Sequence, residues 1–278
     1  MRLETATLGA LHRRSWLPEG APRAAVLVMH GYGEHSGRYD YLATALTASG
    51  YAVHAIDLRG YGRSSGSRGH IQSWDDYLSD IAALHVAVRD TSPDLPLFFY
   101  GHSMGGLLVL DYAGRHPEGI AGVIVSAPAL GRLPAAWPLR ALAAVLTVIR
   151  PTVAMEFPGD PTILVSDPAA IGAWRADDLI HGRASARFSA EMARAMREVP
   201  RRAPDFRVPL LILHGSEDRL ILPEGSREFY ENAGSEDKVR IVYEGGRHEP
   251  HQDRDRDRVI RDIVTWLDHR TARPQEEP

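Results

Sequence analysis

The stretch Leu97-Phe98-Phe99-Tyr100-Gly101-His102-Ser103-Met104-Gly105-Gly106 runs from a short apolar block into a G-x-S-x-G motif, and a helical pattern follows it from 107 to 115. The block has the length of a strand buried on both faces, and the residues after Gly106 repeat apolar positions at helical spacing. A serine between the two must sit on a tight, strained turn, where flanking glycines let the backbone pack closely. Ser103 Oγ is then presented at a helix N-terminus. A plain glycine-rich turn with an incidental serine is the competing interpretation, and the strand-turn-helix context opposes it.

Similar apolar runs occupy 24–29, 51–56, 120–125, 208–213 and 239–243. Amphipathic stretches of helical length lie between several of them, including 38–49, closed by Gly50 where a helix C-cap favours glycine, and 74–89. This alternation predicts an α/β fold with a mostly parallel sheet covered by helices on both faces. Residues 2–16 alternate apolar with polar and predict an antiparallel hairpin at the sheet edge. From 131 to 204 no buried-strand run occurs, and six prolines from Pro134 to Pro168 punctuate short helical pieces. That segment is expected to be an inserted helical cap on a core of 1–130 and 205–270, with a flexible tail at 271–278. Its most apolar part, 141–149, is far shorter than the roughly 20 residues that cross a bilayer.

Composition bounds the chemistry. The 278 residues carry 32 basic and 36 acidic side chains, a formal charge of -4, so no bulk positive field exists and nucleic acid is not an expected partner. Zero cysteines remove thiolate nucleophiles, disulfides and sulfur-ligated metals, leaving oxygen and imidazole to act. Neither a metal nor a cofactor is expected. The first residues lead to no apolar core of a secretory signal, and a cytoplasmic or surface-adsorbed enzyme is expected.

A serine hydroxyl needs an imidazole base, and the base needs a carboxylate that fixes its tautomer. Where a G-x-S-x-G serine tops such a sheet, the partners follow in the order serine, acid, histidine, which disqualifies Asp57. The loop His214-Gly215-Ser216-Glu217-Asp218-Arg219 follows an apolar run at a strand's C-terminal end, where open parallel sheets bind ligands, and supplies Asp218 as acid with Glu217 as its competitor. The loop Glu244-Gly245-Gly246-Arg247-His248-Glu249-Pro250-His251 follows the last run and supplies His248 as base, with His251 as the alternative. Backbone N–H donors for an oxyanion are expected from Met104, directly after the nucleophile, and from Tyr32 in His30-Gly31-Tyr32-Gly33-Glu34-His35.

These segments, with 30–39 as H-G-Y-G-E-H-S-G-R-Y and 57–64 as D-L-R-G-Y-G-R-S, together resemble the monoacylglycerol lipases of the α/β-hydrolase fold from about residue 24 to 266. The ten-residue string from His30 is far more selective than the G-x-S-x-G alone. Ser166-Asp167-Pro168 and Asp177-Asp178-Leu179-Ile180-His181 also resemble family segments, the second with Asp178 where the family has proline. The resemblance implies a serine hydrolase cleaving monoacylglycerols under a mobile cap, with Ser103, Asp218 and His248 as triad and Tyr32 and Met104 as oxyanion donors. It further implies that Glu34, Arg38 and His251 line the alcohol side of the pocket; an i,i+4 ion pair steadying the oxyanion loop is the other role open to Glu34 and Arg38. The apolar stretch 137–149 is expected to form the acyl tunnel, to contact a membrane or lipid-droplet surface, or to pack as a cap helix. Asp253-Arg254-Asp255-Arg256-Asp257-Arg258 reads as the solvated start of the last helix. A lysophospholipase or broad carboxylesterase would use the same triad. A binding protein that keeps the triad as a ligand pocket is opposed by the intact residue order and both oxyanion loops.

Overall fold

A computed structural model describes residues 1–131, 147, 149–157 and 159–271. Its eight-stranded sheet has the order β1-β2-β4-β3-β5-β6-β9-β10. The strands are β1 (Arg2–Leu8), β2 (Leu11–Leu17), β3 (Ala24–Met29), β4 (Tyr51–Ile56), β5 (Leu97–His102), β6 (Ile120–Ser126), β9 (Leu210–Gly215) and β10 (Lys238–Tyr243). From β4 to β10 all pairings are parallel, and the β1–β2 hairpin joins antiparallel through β2 against β4, at the edge where its alternating pattern put it.

Helices cover both faces because the strands present apolar side chains to each. On one face α1 (Asp40–Ala48) and α8 (Arg256–Thr271) bring Leu42, Leu46, Val259, Ile263 and Leu267 onto Val26, Val28, Phe98 and Tyr100. On the other, α2 (Asp75–Thr91), α3 (Met104–Arg115) and α7 (Pro223–Asn232) bring Ile81, Leu84, Leu107, Leu110 and Phe229 onto Leu27, Met29, Phe99 and Val125. Burial of such side chains stabilises the fold by about 1.5–3 kcal/mol each. β10 departs from the expectation of a strand buried on both faces. Val239 and Val242 are each 38% exposed, because among the described residues β10 is an edge strand paired with β9 alone.

Between β6 and β9 the described chain leaves the sheet. It forms β7 (Ala154–Glu156) paired antiparallel with β8 (Arg183–Ser185), the short helices α4 (Pro161–Leu164) and α5 (Pro168–Arg175), and the long α6 (Ala186–Arg201). Asp160 and Asp167 cap α4 and α5 by accepting from the amides of Thr162 and Ala169, with proline in each first turn. α6 buries Phe188, Ala195, Met196 and Val199 in the core shared with α2 and α3. Of the apolar stretch 137–149, all but Thr147 and Ile149 lies outside the described residues, as does the tail from 272. Among the described residues no helix is long and apolar enough to cross a membrane.

The acidic-basic run from Asp253 is a solvated helix start at Arg254, Asp255, Asp257 and Arg258, which are exposed, but not at Asp253. α8 begins at Arg256, and Asp253 is buried, accepting from the amides of Ser166, Asp167 and Arg254 and from the Ser166 hydroxyl at 2.8–2.9 Å. Four donors satisfy a carboxylate where water is excluded, and here they fasten the segment before α5 to the loop that carries His248.

Candidate active site

Ser103 stands between β5 and α3 with φ 52° and ψ -116°, a strained conformation for a residue with a Cβ. Its surroundings over-determine it: Ser103 N–H donates to Ser126 O (3.0 Å), and Ser103 O accepts from Leu107 and Ala129 (3.1 and 3.0 Å). The flanking glycine is demanded by space, since a Cβ on Gly105 would lie 2.2 Å from Met29 O. α3 therefore packs directly against the end of β3. The turn forces Oγ out at the carboxyl end of the sheet.

Two further loops from that end converge on Oγ. The ring of His248, five residues past β10, lies with Nε2 3.0 Å from Ser103 Oγ and Nδ1 2.7 Å from Asp218 Oδ2. Asp218, three residues past β9, is buried, whereas its competitor Glu217 is exposed. Asp218 Oδ1 accepts from the amides of Leu220 and Ile221 at 2.9 and 3.0 Å. Burial alone would raise its carboxyl, but hydrogen bonds from His214 and His248 outweigh that and hold it well below the usual carboxylate range. An acid that stays ionised fixes the Nδ1–H tautomer of His248 and leaves Nε2 free to take the hydroxyl proton.

The loop after β3 carries Tyr32. His30 braces it, donating from Nδ1 to Gly31 O (2.7 Å) and accepting at Nε2 from Leu58 N–H (2.9 Å). Gly33, at φ +80°, lies so close to the segment before β8 that a Cβ would stand 2.7 Å from His181 O, and Gly33 O accepts from His181 N–H at 3.0 Å. A second tie follows at His35 Nε2, 2.8 Å from Asp177 Oδ2; Asp177 also caps its own turn through Leu179 N–H, and Asp178 forms the corner of that turn.

Glu34 and Arg38 form the i,i+4 ion pair, at 2.8 Å, and are built into a larger clamp. Glu34 Oε1 accepts from Gly31 N–H (2.6 Å) and the Tyr39 hydroxyl (2.7 Å), while Arg38 grips both oxygens of Glu249 at 2.9 and 2.8 Å. Burial opposes charge on Glu249, yet Arg38 brings its carboxyl down to about 2. The clamp ties the loop of Tyr32 to the loop of His248. His251 lies behind the triad, fully buried, stacked on Tyr39 (5.3 Å between centroids) and 4.7 Å from His102. Burial, reinforced by His102, pushes it down to about 3, so the ring is neutral. It makes no contact with Ser103 that would suit it as the base. Sequence reasoning missed Glu249, although it neighbours His248, and His214, although it opens the Asp218 motif.

The family described as serine aminopeptidase, S33 matches residues 20–255, and a monoacylglycerol lipase of Mycolicibacterium smegmatis is 35% identical over 257 residues, covering 91% of this chain and 90% of that protein. The chain belongs to this S33 serine hydrolase family, among the monoacylglycerol lipases. Its fold is similar to that of the Paleococcus ferrophilus monoacylglycerol lipase (TM-score 0.85, 33% identity, covering 97% of this chain and 100% of that one). It is likewise similar to a soluble variant of the Saccharomyces cerevisiae monoglyceride lipase solved with a substrate analog (TM-score 0.86, 26% identity, 98% and 96% covered). The α/β-hydrolase fold expected of the sequence is the one the family has.

Proposed function

We propose that the protein cleaves the ester bond of monoacylglycerols to glycerol and fatty acid through an acyl-enzyme. The observation that carries this is the hydrogen-bonded chain Ser103–His248–Asp218 at the carboxyl end of the sheet, in a monoacylglycerol lipase relative. Ser103 Oγ attacks the acyl carbonyl while His248 Nε2 takes its proton, and the oxyanion accepts from the amides of Met104 and Tyr32. Each such donor contributes roughly 10²–10³ in rate. His248 returns the proton to the glycerol oxygen, the C–O bond breaks, and glycerol leaves. Water then attacks the acyl-serine with His248 as base, and Ser103 recovers its proton.

The insertion 131–204 acts in this scheme as the cap over the acyl chain. Burying ten carbons contributes up to roughly 8 kcal/mol, whereas a glycerol hydroxyl returns about 0.5–1.5, so chain length governs affinity. Exposed Ile149, Met155 and Phe157 on that segment support peripheral contact with a lipid surface by a cytoplasmic protein. The test is a set of rates on monoacylglycerols of graded length beside lysophosphatidylcholine and p-nitrophenyl acetate, with Ser103→Ala as control. Turnover is expected to peak on medium or long monoacylglycerols and to vanish in Ser103→Ala with binding intact. Preference for acetyl over ten-carbon chains refutes the lipase assignment.

A further inference from the structure

Asp218 is held from two sides. His214, four residues earlier and within β9, is wholly buried, with Nε2 3.1 Å from Asp218 Oδ2 and 2.9 Å from Ile221 O. Both neighbours only accept, so Nε2 carries a proton and donates it. Nδ1 lies 2.9 Å from the Ser226 hydroxyl, whose proton goes either to Nδ1 or to Pro223 O at 2.9 Å. Oδ2 is therefore shared by two imidazoles, while Oδ1 is taken by two backbone amides.

The arrangement answers a mechanical problem. A carboxyl group rotates through a broad, shallow torsional well, and Asp218 sits in a loop whose next residues, Arg219 and Leu220, are exposed. Backbone amides of that same loop fix one oxygen. The other oxygen, which must face His248 Nδ1, needs an anchor outside the loop. β9 is hydrogen-bonded on both sides, to β6 and β10, and His214 is the side chain it directs at Oδ2.

We propose that His214 is a positioning residue for the acid of the triad: its Nε2–H aims Asp218 Oδ2 at His248 from a rigid strand. This rests on the hydrolase scheme above. A donor on Oδ2 also draws charge away from His248, and that effect has the opposite sign on kcat, so measurement separates the two.

His214→Leu keeps bulk without a donor, and His214→Gln brings an amide N–H to about the place of Nε2. Hydrolysis of a monoacylglycerol is measured for both, with the thermal midpoint and with Ser103→Ala alongside. His214→Leu is expected to lower kcat about tenfold with KM within about twofold, and His214→Gln to recover most of it. Undiminished or raised kcat in His214→Leu overturns the proposal, as does a folded His214→Gln no faster than His214→Leu. Activity surviving in Ser103→Ala instead defeats the hydrolase scheme itself. Imidazole ¹⁵N spectra of the unmodified protein give a reading independent of variant folding: Nε2 of His214 protonated is expected, and Nε2 unprotonated overturns the proposal.

Discussion

Replacing Arg38 by methionine distinguishes a pocket residue from a clamp. The Arg38 side chain is 10% exposed, and those of Glu34 and Glu249 are 5% each, so the substitution strands two carboxylates in a nearly dry site. Removing one partner of a buried pair costs about 3–5 kcal/mol. At roughly 2–4 °C per kcal/mol for a large domain, the midpoint falls by on the order of 10 °C at pH 7. The pH dependence carries the sharper signature. In the native protein Glu249 is held at about 2 against an ordinary 4.5, so its contribution is complete above 4.5 and is lost as pH falls from there toward 2. Without Arg38, burial pushes that carboxyl up, the folded state binds the extra proton, and stability is regained as pH falls from 7 to 5. Scanning calorimetry at the two pH values is expected to show the deficit of Arg38→Met shrinking at pH 5. Adding Glu249→Gln, which removes one stranded charge, is expected to restore about half of the loss at pH 7. An unchanged midpoint with a tenfold rise in KM for monoacylglycerol refutes the clamp and returns Arg38 to the alcohol side of the pocket.

Gly33→Ala adds a Cβ at φ +80° facing His181 O at 2.7 Å, and it is expected to cost about 1–3 kcal/mol and to lower kcat at least tenfold by shifting the loop of Tyr32. Full activity with an unchanged midpoint contradicts the tight seating of that loop. With no cysteine in the chain, N-ethylmaleimide is expected to leave hydrolysis untouched, and rapid inactivation would show that another nucleophile is essential.

The strands were legible because most are contiguous apolar runs, and 24–29 and 51–56 match β3 and β4 residue for residue. The convergence of Ser103, Asp218 and His248 was legible for a related reason: each follows a recognisable strand by a few residues, so topology gathers them at one end of the sheet. β7 and β8 were not, because strands of three residues are too short to leave a periodic trace. Asp253 was misread because alternating charge looks solvated in one dimension, and its four donors come mostly from a turn 86 or 87 residues away. The clamp escaped for the same reason, since Arg38 and Glu249 are 211 positions apart. His214 was hidden by standing inside an apolar run, where a histidine reads as an interruption rather than a partner.

The spread of these partners along the chain has a consequence in time. Residues 1–131 already contain β1 to β6 and the strained serine turn, so much of the sheet can assemble while the rest is still being synthesised. His248, the Glu249 partner of Arg38 and the Asp253 anchor all come after β10. α8 then closes the molecule from the far end, with Asp268 taking Arg23 at 2.7 Å and the Tyr51 hydroxyl at 2.5 Å. A nascent chain thus carries Ser103 on its turn before the imidazole that hydrogen-bonds it has been made.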